Sequence, residues 1–286
     1  MLEQLPGLLL PWFAEHRRDL PWRRDREPYH VWLSEIMLQQ TRVEAVRGYY
    51  LRFLERLPDI AALASAPEDV LLKLWEGLGY YSRVRNLQKA AQCVMEQHGG
   101  EFPRELSAIR ALPGIGDYTA GAIASICFET PTAAVDGNVL RVILRLTACA
   151  DSPADVRVRR RIGEELSAVY PAGHCGDFTQ ALMELGATVC LPNGAPQCGA
   201  CPLRALCEAH AQGTELQFPT KPPKNPAASS SAPFSCCSAA TGSPSANVRP
   251  AACWQGCGSC RTCPASWKRR RLSGRRSSGA CIRPVS

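Results

Sequence analysis

Hydrophobic residues recur three and four positions apart over most of the chain up to about residue 212, the spacing that places side chains on one face of an α-helix. Three such series are Val43, Val46, Tyr50, Phe53, Leu54, Leu57; Val84, Leu87, Ala91, Val94; and Val139, Val142, Ile143, Leu146. Helix-breaking Pro and Gly residues separate the series. No stretch shows the sustained alternation of a half-buried β-strand. The pattern predicts an all-α domain with helices joined by short turns.

The chain changes character near residue 218. A Pro-rich linker is followed by Ser, Ala, Pro, Gly, Arg and Cys with few aliphatic residues, a composition that cannot bury a core. We predict a linker and a disordered, basic, Cys-rich tail over residues 213–286.

The positive charge is concentrated in that tail. The formal net charge of the chain is +7, but residues 225–286 hold nine Lys or Arg residues and no acidic one. The rest of the chain has 24 basic and 26 acidic side chains. Overall basicity is therefore no evidence that the helical region binds nucleic acid, and any such surface there must be a local patch.

Apolar runs such as residues 7–13 are far too short to span a bilayer, and no basic region precedes them at the N-terminus. Export and membrane insertion are therefore disfavoured, and so is a disulfide-stapled secreted scaffold. The 15 cysteines are better interpreted as reduced thiols or metal ligands.

Four cysteines lie close together near the end of the helical region: Cys190, Cys198, Cys201 and Cys207. They are separated by seven, two and five residues. A zinc ribbon usually has two CxxC knuckles and this segment has one, so unequal gaps favour an iron–sulfur cluster over zinc. Four unrelated buried cysteines are the alternative, and the tight spacing argues against it.

A second cysteine group lies in the tail: Cys253, Cys257, Cys260 and Cys263. It has the spacing for zinc or iron but no hydrophobic context, so we interpret these cysteines as incidental.

Residues 109–122 have the pattern of two helices joined by a tight turn. Gly114 and Gly116 flank Ile115, which lets the backbone bend sharply and brings its N–H groups close to an outside anion. The dipole of the following helix adds to the attraction. With Leu112 before the turn, this segment favours binding of the DNA backbone over a plain helical corner, and it carries no base information.

Two carboxylates are candidates for acid–base chemistry. Glu35 lies in a mostly apolar helical stretch, residues 31–38; on a solvated face it would be inert, but burial would raise its pKa toward neutral pH. The simplest role of Asp136 is to cap the helix that follows it. Together they resemble the pair that breaks a glycosidic bond, one acid for the leaving group and one anion beside the cationic sugar.

Two segments, residues 39–41 and 79–83, supply polar and aromatic side chains of the kind that wedge into or stack on a base step. A solvated helix face and ordinary aromatic packing are the alternatives for these segments.

An ordered series of motifs runs through residues 18–23 (RDLPWR), 31–41 (VWLSEIMLQQT), 77–83 (GLGYYSR), 112–121 (LPGIGDYTAG), 135–139 (VDGNV), 176–181 (GDFTQA) and the cysteine cluster. Over about residues 5–224 the chain resembles the helix-hairpin-helix DNA glycosylase superfamily, and specifically the adenine glycosylase (MutY) family. That family removes adenine mispaired with 8-oxoguanine or guanine in base excision repair.

The resemblance implies a two-lobed, all-α fold with a loop that binds a 4Fe-4S cluster. One lobe would combine residues 1–24 with 133–212, and the other would be the helical bundle of residues 25–132 with the hairpin. It also implies a monomer whose partner is double-stranded DNA with adenine opposite 8-oxoguanine or guanine, and no membrane. The compartment would be the cytoplasm, at the nucleoid, in a bacterium and the nucleus or mitochondrion in a eukaryote.

Roles for single residues follow from the same resemblance. Glu35 would protonate the flipped adenine at N7 and help to activate water, Asp136 would stabilise the oxocarbenium-like sugar, and Asn138 would hold the geometry. Tyr118 occupies the position of the Schiff-base lysine of lyase-active relatives, which implies a monofunctional glycosylase. Gln40 would fill the base stack, and Tyr80 would lie beside the opposing base. The whole DNA-binding set is Gln39, Gln40, Thr41, Tyr80, Arg83, Leu112, Gly114 and Gly116.

Two other functions stay open. Thymine-mismatch glycosylases, which act on thymine or uracil, also carry Tyr at position 118, although Glu35 with residues 39–41 favours adenine. A catalytically impaired DNA-binding remnant is the second alternative.

The sequence departs from the family in two places. The first cysteine gap has seven residues where the family usually has six, which a bulge in the loop would accommodate. The resemblance stops at about Pro226, where a Nudix-like domain that reads 8-oxoguanine should begin. We interpret the tail as GC-rich coding sequence in a shifted frame, with a divergent DNA-binding arm as the alternative. We therefore expect adenine excision with poor discrimination between 8-oxoguanine and guanine.

Overall fold

Twelve α-helices form the framework of residues 1–220, the part of the chain that the computed structural model describes. In chain order they are α1 (Leu5–His16), α2 (Pro28–Leu38), α3 (Val43–Arg56), α4 (Ile60–Ser65), α5 (Glu68–Leu74), α6 (Ser82–His98), α7 (Leu106–Ala111), α8 (Asp117–Phe128), α9 (Gly137–Leu146), α10 (Val156–Ser167), α11 (Cys175–Thr188) and α12 (Glu208–Ala211). Residues 1–220 contain no strand, which confirms the all-α prediction for that range. No helix within it has the length and apolarity needed to cross a membrane.

Side-chain caps define the start of three helices. Asp59, Asp136 and Asp155 each precede a helix and accept a hydrogen bond from a backbone N–H in its first turn, at 2.7–2.8 Å. Such a cap satisfies one of the N–H groups that the helix leaves without a partner. The cap at Asp136 matters most for function because it fixes a carboxylate at the start of α9.

Buried side chains form two hydrophobic cores. The first lies among α2–α8 and contains the large side chains Trp32, Tyr50, Phe53 and Trp75. The second joins α1, α9, α10 and α11 around Phe178. Leu20 and Trp22 pack in the first core, so that core includes the end of segment 1–24; the lobe boundaries themselves stay a prediction.

Helix α11 joins the two cores because it packs against α1, α8 and α9. Two glycines allow the close approach. A Cβ at Gly186 would lie 2.6 Å from Cβ of Asn138, and one at Gly176 would lie 2.9 Å from Cα of Ile126. The backbone of α11 therefore lies directly against the start of α9 and the end of α8.

A buried carboxylate fixes the chain between α1 and α2 to the same helix. Glu184 on α11 is fully buried, and it accepts hydrogen bonds from Arg18 at 2.7 and 2.8 Å and from Arg23 at 2.8 Å. Burial alone would raise the pKa of Glu184, but the hydrogen bonds and charges of the two arginines hold it at about 2.

Residues 221–286 lie outside the described part of the structure, and the predicted tail with Cys253, Cys257, Cys260 and Cys263 lies there.

We expect Gly186→Ala to destabilise the fold by about 1–3 kcal/mol. The new methyl group would overlap Cβ and backbone atoms of Asn138, which cannot move away without shifting the start of α9. Urea unfolding followed by circular dichroism measures the change. The matched control is Gly7→Ala on α1, where a Cβ meets nothing within 4 Å and the better helix propensity of Ala stabilises the fold. Equal free energies of unfolding for the two variants would contradict the close approach.

We expect Glu184→Gln to cost about 3 kcal/mol near neutral pH, because it leaves two arginines without their counter-charge. The cost depends on pH. The folded pKa of about 2 lies below the ordinary 4.5, so the stabilisation by the carboxylate is complete above pH 4.5 and is lost as the pH falls toward 2.

Urea unfolding of wild type and Glu184→Gln between pH 3 and 7 tests this expectation, with Glu164→Gln in an exposed pair with Arg160 as control. A stability difference that stays constant down to pH 3 would refute the role given to the Glu184 charge.

Candidate active site

A cavity of about 430 Å³ opens where α2, α8, α9 and α11 meet. Seven of the residues predicted to act on or bind DNA line this one cavity: Glu35, Gln39, Gln40, Thr41, Tyr118, Asp136 and Asn138. They come from distant parts of the sequence, so the fold brings the acid–base residues and the first DNA-binding segment together. The volume is in the range of ordinary ligand pockets.

Glu35 lies on α2 and is 7% exposed, so the polar-face alternative does not apply. Its Oε2 accepts a hydrogen bond from the hydroxyl of Tyr118 at 2.7 Å. Burial and the charge of Asp136 raise the pKa of Glu35 to about 7, although the Tyr118 hydroxyl and Arg23 oppose the rise. A large fraction of Glu35 is therefore protonated at neutral pH.

Both carboxylate oxygens of Asp136 accept a hydrogen bond. Oδ1 accepts from the backbone N–H of Val139 at 2.7 Å, and Oδ2 accepts from Nδ2 of Asn138 at 2.8 Å. These two bonds, one from the helix start and one from a side chain, fix the orientation of the carboxylate toward the cavity. The two carboxyl groups thus differ in environment: Glu35 is desolvated, and Asp136 is held by donors.

Tyr118 lies in the first turn of α8, the second helix of the hairpin. Burial raises the pKa of its phenol well above 10, and the nearby charges of Glu35 and Asp136 raise it further. The phenol therefore stays protonated and acts as a hydrogen-bond donor to Glu35. A phenol has no amine and forms no imine with an aldehyde.

Arg141 on α9, which the sequence did not indicate, holds the side chain of Asn138 in place. Its buried guanidinium donates from Nη2 to Oδ1 of Asn138 at 2.9 Å and to the Gly186 carbonyl at 2.8 Å. Its Nε donates to the carbonyl of Cys190 at 2.8 Å. The orientation of Asn138 is therefore tied to α11 and to the first cysteine of the cluster.

Several polar residues that line the cavity were also not predicted from the sequence. Arg18, Arg23, Gln180 and Glu184 line it beside Glu35. The sequence placed the two arginines in a motif without a role, and nothing in the local pattern shows that Glu184 is buried with them. These groups give the cavity both donors and acceptors.

Two exposed positions near the cavity have unusual backbones. Gln40, after the end of α2, has φ of 56°, and Tyr80, before α6, has φ of 47°. A residue other than glycine in this left-handed region costs about 1–3 kcal/mol and is retained where the surroundings enforce it. Tyr80 is 65% exposed, so its ring is available to a ligand.

Arg83 was predicted to bind DNA, but its guanidinium is directed toward the backbone of the protein. Its guanidinium does not project from the surface: Nη1 and Nη2 are within hydrogen-bonding distance of backbone carbonyls of both segments, at 2.6–3.2 Å. In the same segment the side chain of Tyr80 is 65% exposed and that of Tyr81 is 38% exposed.

The hairpin has the predicted helix–turn–helix geometry. Gly114 has φ of 78°, and a Cβ there would lie 2.8 Å from Cβ of Asn86, so both its conformation and the space require glycine. Gly116 caps the start of α8 and is exposed. Leu112 is buried in the first core, so its side chain anchors the turn and does not face a ligand.

The four predicted metal ligands line one cavity near the end of α11: Cys190, Cys198, Cys201 and Cys207. Burial and the three neighbouring cysteines raise the pKa of the Cys201 thiol to about 11. The N–H of Gln197 donates to the carbonyl of Val189 at 2.9 Å and closes the seven-residue gap as a loop. Four convergent sulfur donors fit an iron–sulfur cluster.

His210 and Glu215 lie close enough to Cys198 to suggest a different metal site. Both ring nitrogens of His210 are engaged, however: Arg204 donates to Nε2 at 3.0 Å, and Nδ1 donates to Glu215 at 2.6 Å. This group is therefore a hydrogen-bonded network beside the cysteines, and the four sulfurs are the better donor set.

Comparison with known families and relatives agrees with this geometry. The model for "HhH-GPD superfamily base excision DNA repair protein" matches residues 33–167. The adenine DNA glycosylase of Rattus norvegicus is 45% identical over 226 residues, which cover 75% of this chain and 44% of the relative. That of Buchnera aphidicola subsp. Baizongia pistaciae is 38% identical, with 74% and 60% coverage. The chain thus spans less than half the length of the rat protein.

Solved structures share the fold. A thermostable thymine-DNA glycosylase superposes with a TM-score of 0.67 at 28% identity, covering 74% of this chain and 97% of that one. An endonuclease III in a DNA complex superposes with a TM-score of 0.62 at 24% identity, covering 74% and 98%. These matches confirm the predicted helix-hairpin-helix glycosylase fold. The chain belongs to the helix-hairpin-helix DNA glycosylase superfamily and, within it, to the adenine glycosylase (MutY) family.

Proposed function

We propose that this chain is a monofunctional DNA glycosylase of base excision repair that hydrolyses the N-glycosidic bond of adenine mispaired with 8-oxoguanine or guanine. One observation carries the proposal: Glu35, a buried carboxyl group with a pKa of about 7, shares a cavity with the oriented carboxylate of Asp136. Membership of the adenine glycosylase family supports the choice of base.

The two carboxyl groups take complementary parts in the reaction. Adenine is a poor leaving group as an anion, and protonation by Glu35 lets it leave as a neutral base. Positive charge then develops on the sugar, where the Asp136 carboxylate stabilises it. After it has given up its proton, Glu35 is a carboxylate that orients and activates the attacking water.

Because residue 118 is a tyrosine, the reaction ends with the removal of the base. Lyase activity needs an amine that forms an imine with the sugar, and position 118 supplies a phenol. The hydroxyl donates to Glu35 at 2.7 Å and so holds the acid in one orientation. The product is an abasic site in an unbroken strand.

Access to the glycosidic bond requires that the base leave the stack. In this proposal Gln40 and Tyr80 enter the duplex. The exposure of Tyr80 and the position of Gln40 between Gln39 and Thr41 at the cavity support these roles. Gly114 and Gly116 with the start of α8 hold a phosphate of the backbone, as helix N-termini do. The partner in this proposal is double-stranded DNA, and we propose that the acting form is a monomer.

We further propose that Cys190, Cys198, Cys201 and Cys207 hold a 4Fe-4S cluster. When bound, the cluster supplies four Fe–S bonds that tie the loop together. Arg145 lies beneath this site, with Nη1 at 3.3 Å from Sγ of Cys190 and at 2.8 Å from the carbonyl of Leu191. Its charge offsets the thiolates, and its hydrogen bond holds the start of the loop.

A second candidate substrate is thymine opposite guanine, because the structural match at 28% identity is a thymine-DNA glycosylase. Single-turnover assays on three duplexes, with adenine opposite 8-oxoguanine, adenine opposite guanine and thymine opposite guanine, separate the two. Thymine release without adenine release would replace the proposed function.

We expect Glu35→Gln to lower the single-turnover rate of adenine release by about 10²–10⁴-fold, because an amide cannot act as the general acid. The wild-type rate should fall as the pH rises through about 7, since the protonated form of a group with a raised pKa is lost there. The assay is strand cleavage by alkali after the reaction.

The matched control for Glu35→Gln is Glu55→Gln, an exposed carboxyl on α3, which should keep the wild-type rate and pH profile. Retained activity in Glu35→Gln would remove Glu35 from the mechanism. Strand breaks without alkali would contradict the role of Tyr118.

We expect the protein of residues 1–286 to be brown and to contain iron and sulfide. Cys198→Ser should lower both contents and the visible absorption. Metal analysis and absorption spectra of protein purified without oxygen measure this. Cys93→Ser, on α6 at the first core, is the control and should leave the iron content unchanged. Zinc in place of iron would contradict the proposed cofactor.

A further inference from the structure

The guanidinium of Arg83 lies between the two segments that carry the exposed recognition residues. From the first turn of α6, its Nη1 is 2.9 Å from the carbonyl of Ile36, 3.2 Å from that of Met37 and 2.6 Å from that of Gln39. The first two carbonyls belong to the last turn of α2, where backbone acceptors have no partner within the helix. Arg83 therefore caps α2 from outside.

The other arm of the guanidinium binds the second segment. Nη2 donates to the carbonyl of Leu78 at 2.9 Å and to that of Gly79 at 3.2 Å. Only a planar fork with donors on two sides can hold both segments at once, and an arginine provides that geometry. A single side chain thus links the end of α2 to the loop before α6.

Aromatic rings flank the same group. The guanidinium carbon lies 5.4 Å from the centroid of Trp75 and 5.7 Å from that of Tyr80, distances at which a cation is attracted to a ring. Trp75 also donates from Nε1 to the Gly79 carbonyl at 3.1 Å. Arg83 thereby acts on the ring of Tyr80 directly and on its backbone through the neighbouring residue.

The two segments share one more feature. Gln40 follows one of the bound carbonyls and Tyr80 follows another, and both have left-handed backbones. Because isolated residues of these types avoid that region, the bonds from Arg83 to the preceding residues favour the unusual conformations at both places.

We propose that Arg83 is a positioning residue that holds Gln40 and Tyr80 in a fixed relation, so that both enter the duplex together. This inference rests on the proposed function and deepens it. It replaces the expected contact of Arg83 with DNA: the donors of its guanidinium arms face carbonyls of the protein and not a phosphate.

The two roles predict different behaviour. A phosphate contact adds to affinity for any duplex and to its salt dependence. A positioning residue leaves affinity for undamaged DNA and its salt dependence as they are, and it affects the step in which the base leaves the stack. That step costs least when the base is already poorly stacked or unpaired.

The test compares Arg83→Gln and Arg83→Lys with wild type, in the full chain. Single-turnover rates are measured with adenine opposite guanine and with adenine opposite an abasic-site analogue, where extrusion is easier. A 2-aminopurine beside the adenine reports extrusion by its fluorescence, independently of bond cleavage. The matched control is Arg85→Gln, two residues along α6 in an exposed pair with Glu68.

We expect Arg83→Gln to lose about tenfold or more of the rate and most of the fluorescence change on the paired substrate, and about threefold or less on the unpaired one. Arg83→Lys should lie between it and wild type, because one ammonium group reaches one segment and not both. Arg85→Gln should match wild type, and affinity for undamaged duplex should be unchanged throughout.

Equal losses of rate on both substrates in Arg83→Gln would overturn the inference. So would a lower salt dependence of its binding to undamaged duplex, or base extrusion unchanged from wild type. Thermal unfolding checks the fold of each variant, and if Arg83→Gln does not fold, Arg83→Lys carries the comparison alone. A wild-type protein that extrudes the base but releases no adenine would refute the proposed function and leave the positioning role testable by fluorescence.

Discussion

The site depends on the desolvation of one carboxyl group. A Glu side chain in water would be ionised at neutral pH, and its burial on α2 raises the pKa to about 7. Burial of an acid without a partner is costly, and the Tyr118 hydroxyl lowers that cost by its hydrogen bond. Asp136 adds a like charge that favours the protonated form. The positions of α2, α8 and α9 together create this environment around the Glu35 carboxyl group.

Those positions are in turn fixed by α11. Glycines at 176 and 186 let its backbone touch α8 and α9, and Glu184 holds the chain between α1 and α2 through Arg18 and Arg23. The same helix leads directly to Cys190. A disturbance of the cysteine loop can therefore reach Asn138 through Arg141 and α11, without any change in the catalytic residues themselves.

The two segments that carry Gln40 and Tyr80 are built differently from the cavity. Gln40 and Tyr80 hold strained backbones on exposed segments, at a cost of about 1–3 kcal/mol each. Hydrogen bonds from Arg83 to the carbonyls of Gln39 and Gly79 offset that cost. The exposed side chains of Gln40 and Tyr80 are thus supported by an arginine whose guanidinium arms face protein carbonyls, whereas Glu35 in the cavity is withdrawn from water.

Local patterns in the sequence determined the helices, the hairpin turn and the cysteine spacing, because periodicity, glycine conformation and ligand spacing depend on residues that are near one another in the chain. The pairing of Glu35 with Asp136 could be proposed from family motifs alone. The tertiary structure decided that Glu35 is buried, that the guanidinium arms of Arg83 face protein carbonyls, and that Arg141 and Glu184 support the cavity. It also placed the His210–Glu215 pair beside the cysteines. Burial and side-chain direction come from contacts between residues far apart in sequence, such as Arg18 with Glu184 or Tyr118 with Glu35, and no local pattern contains them.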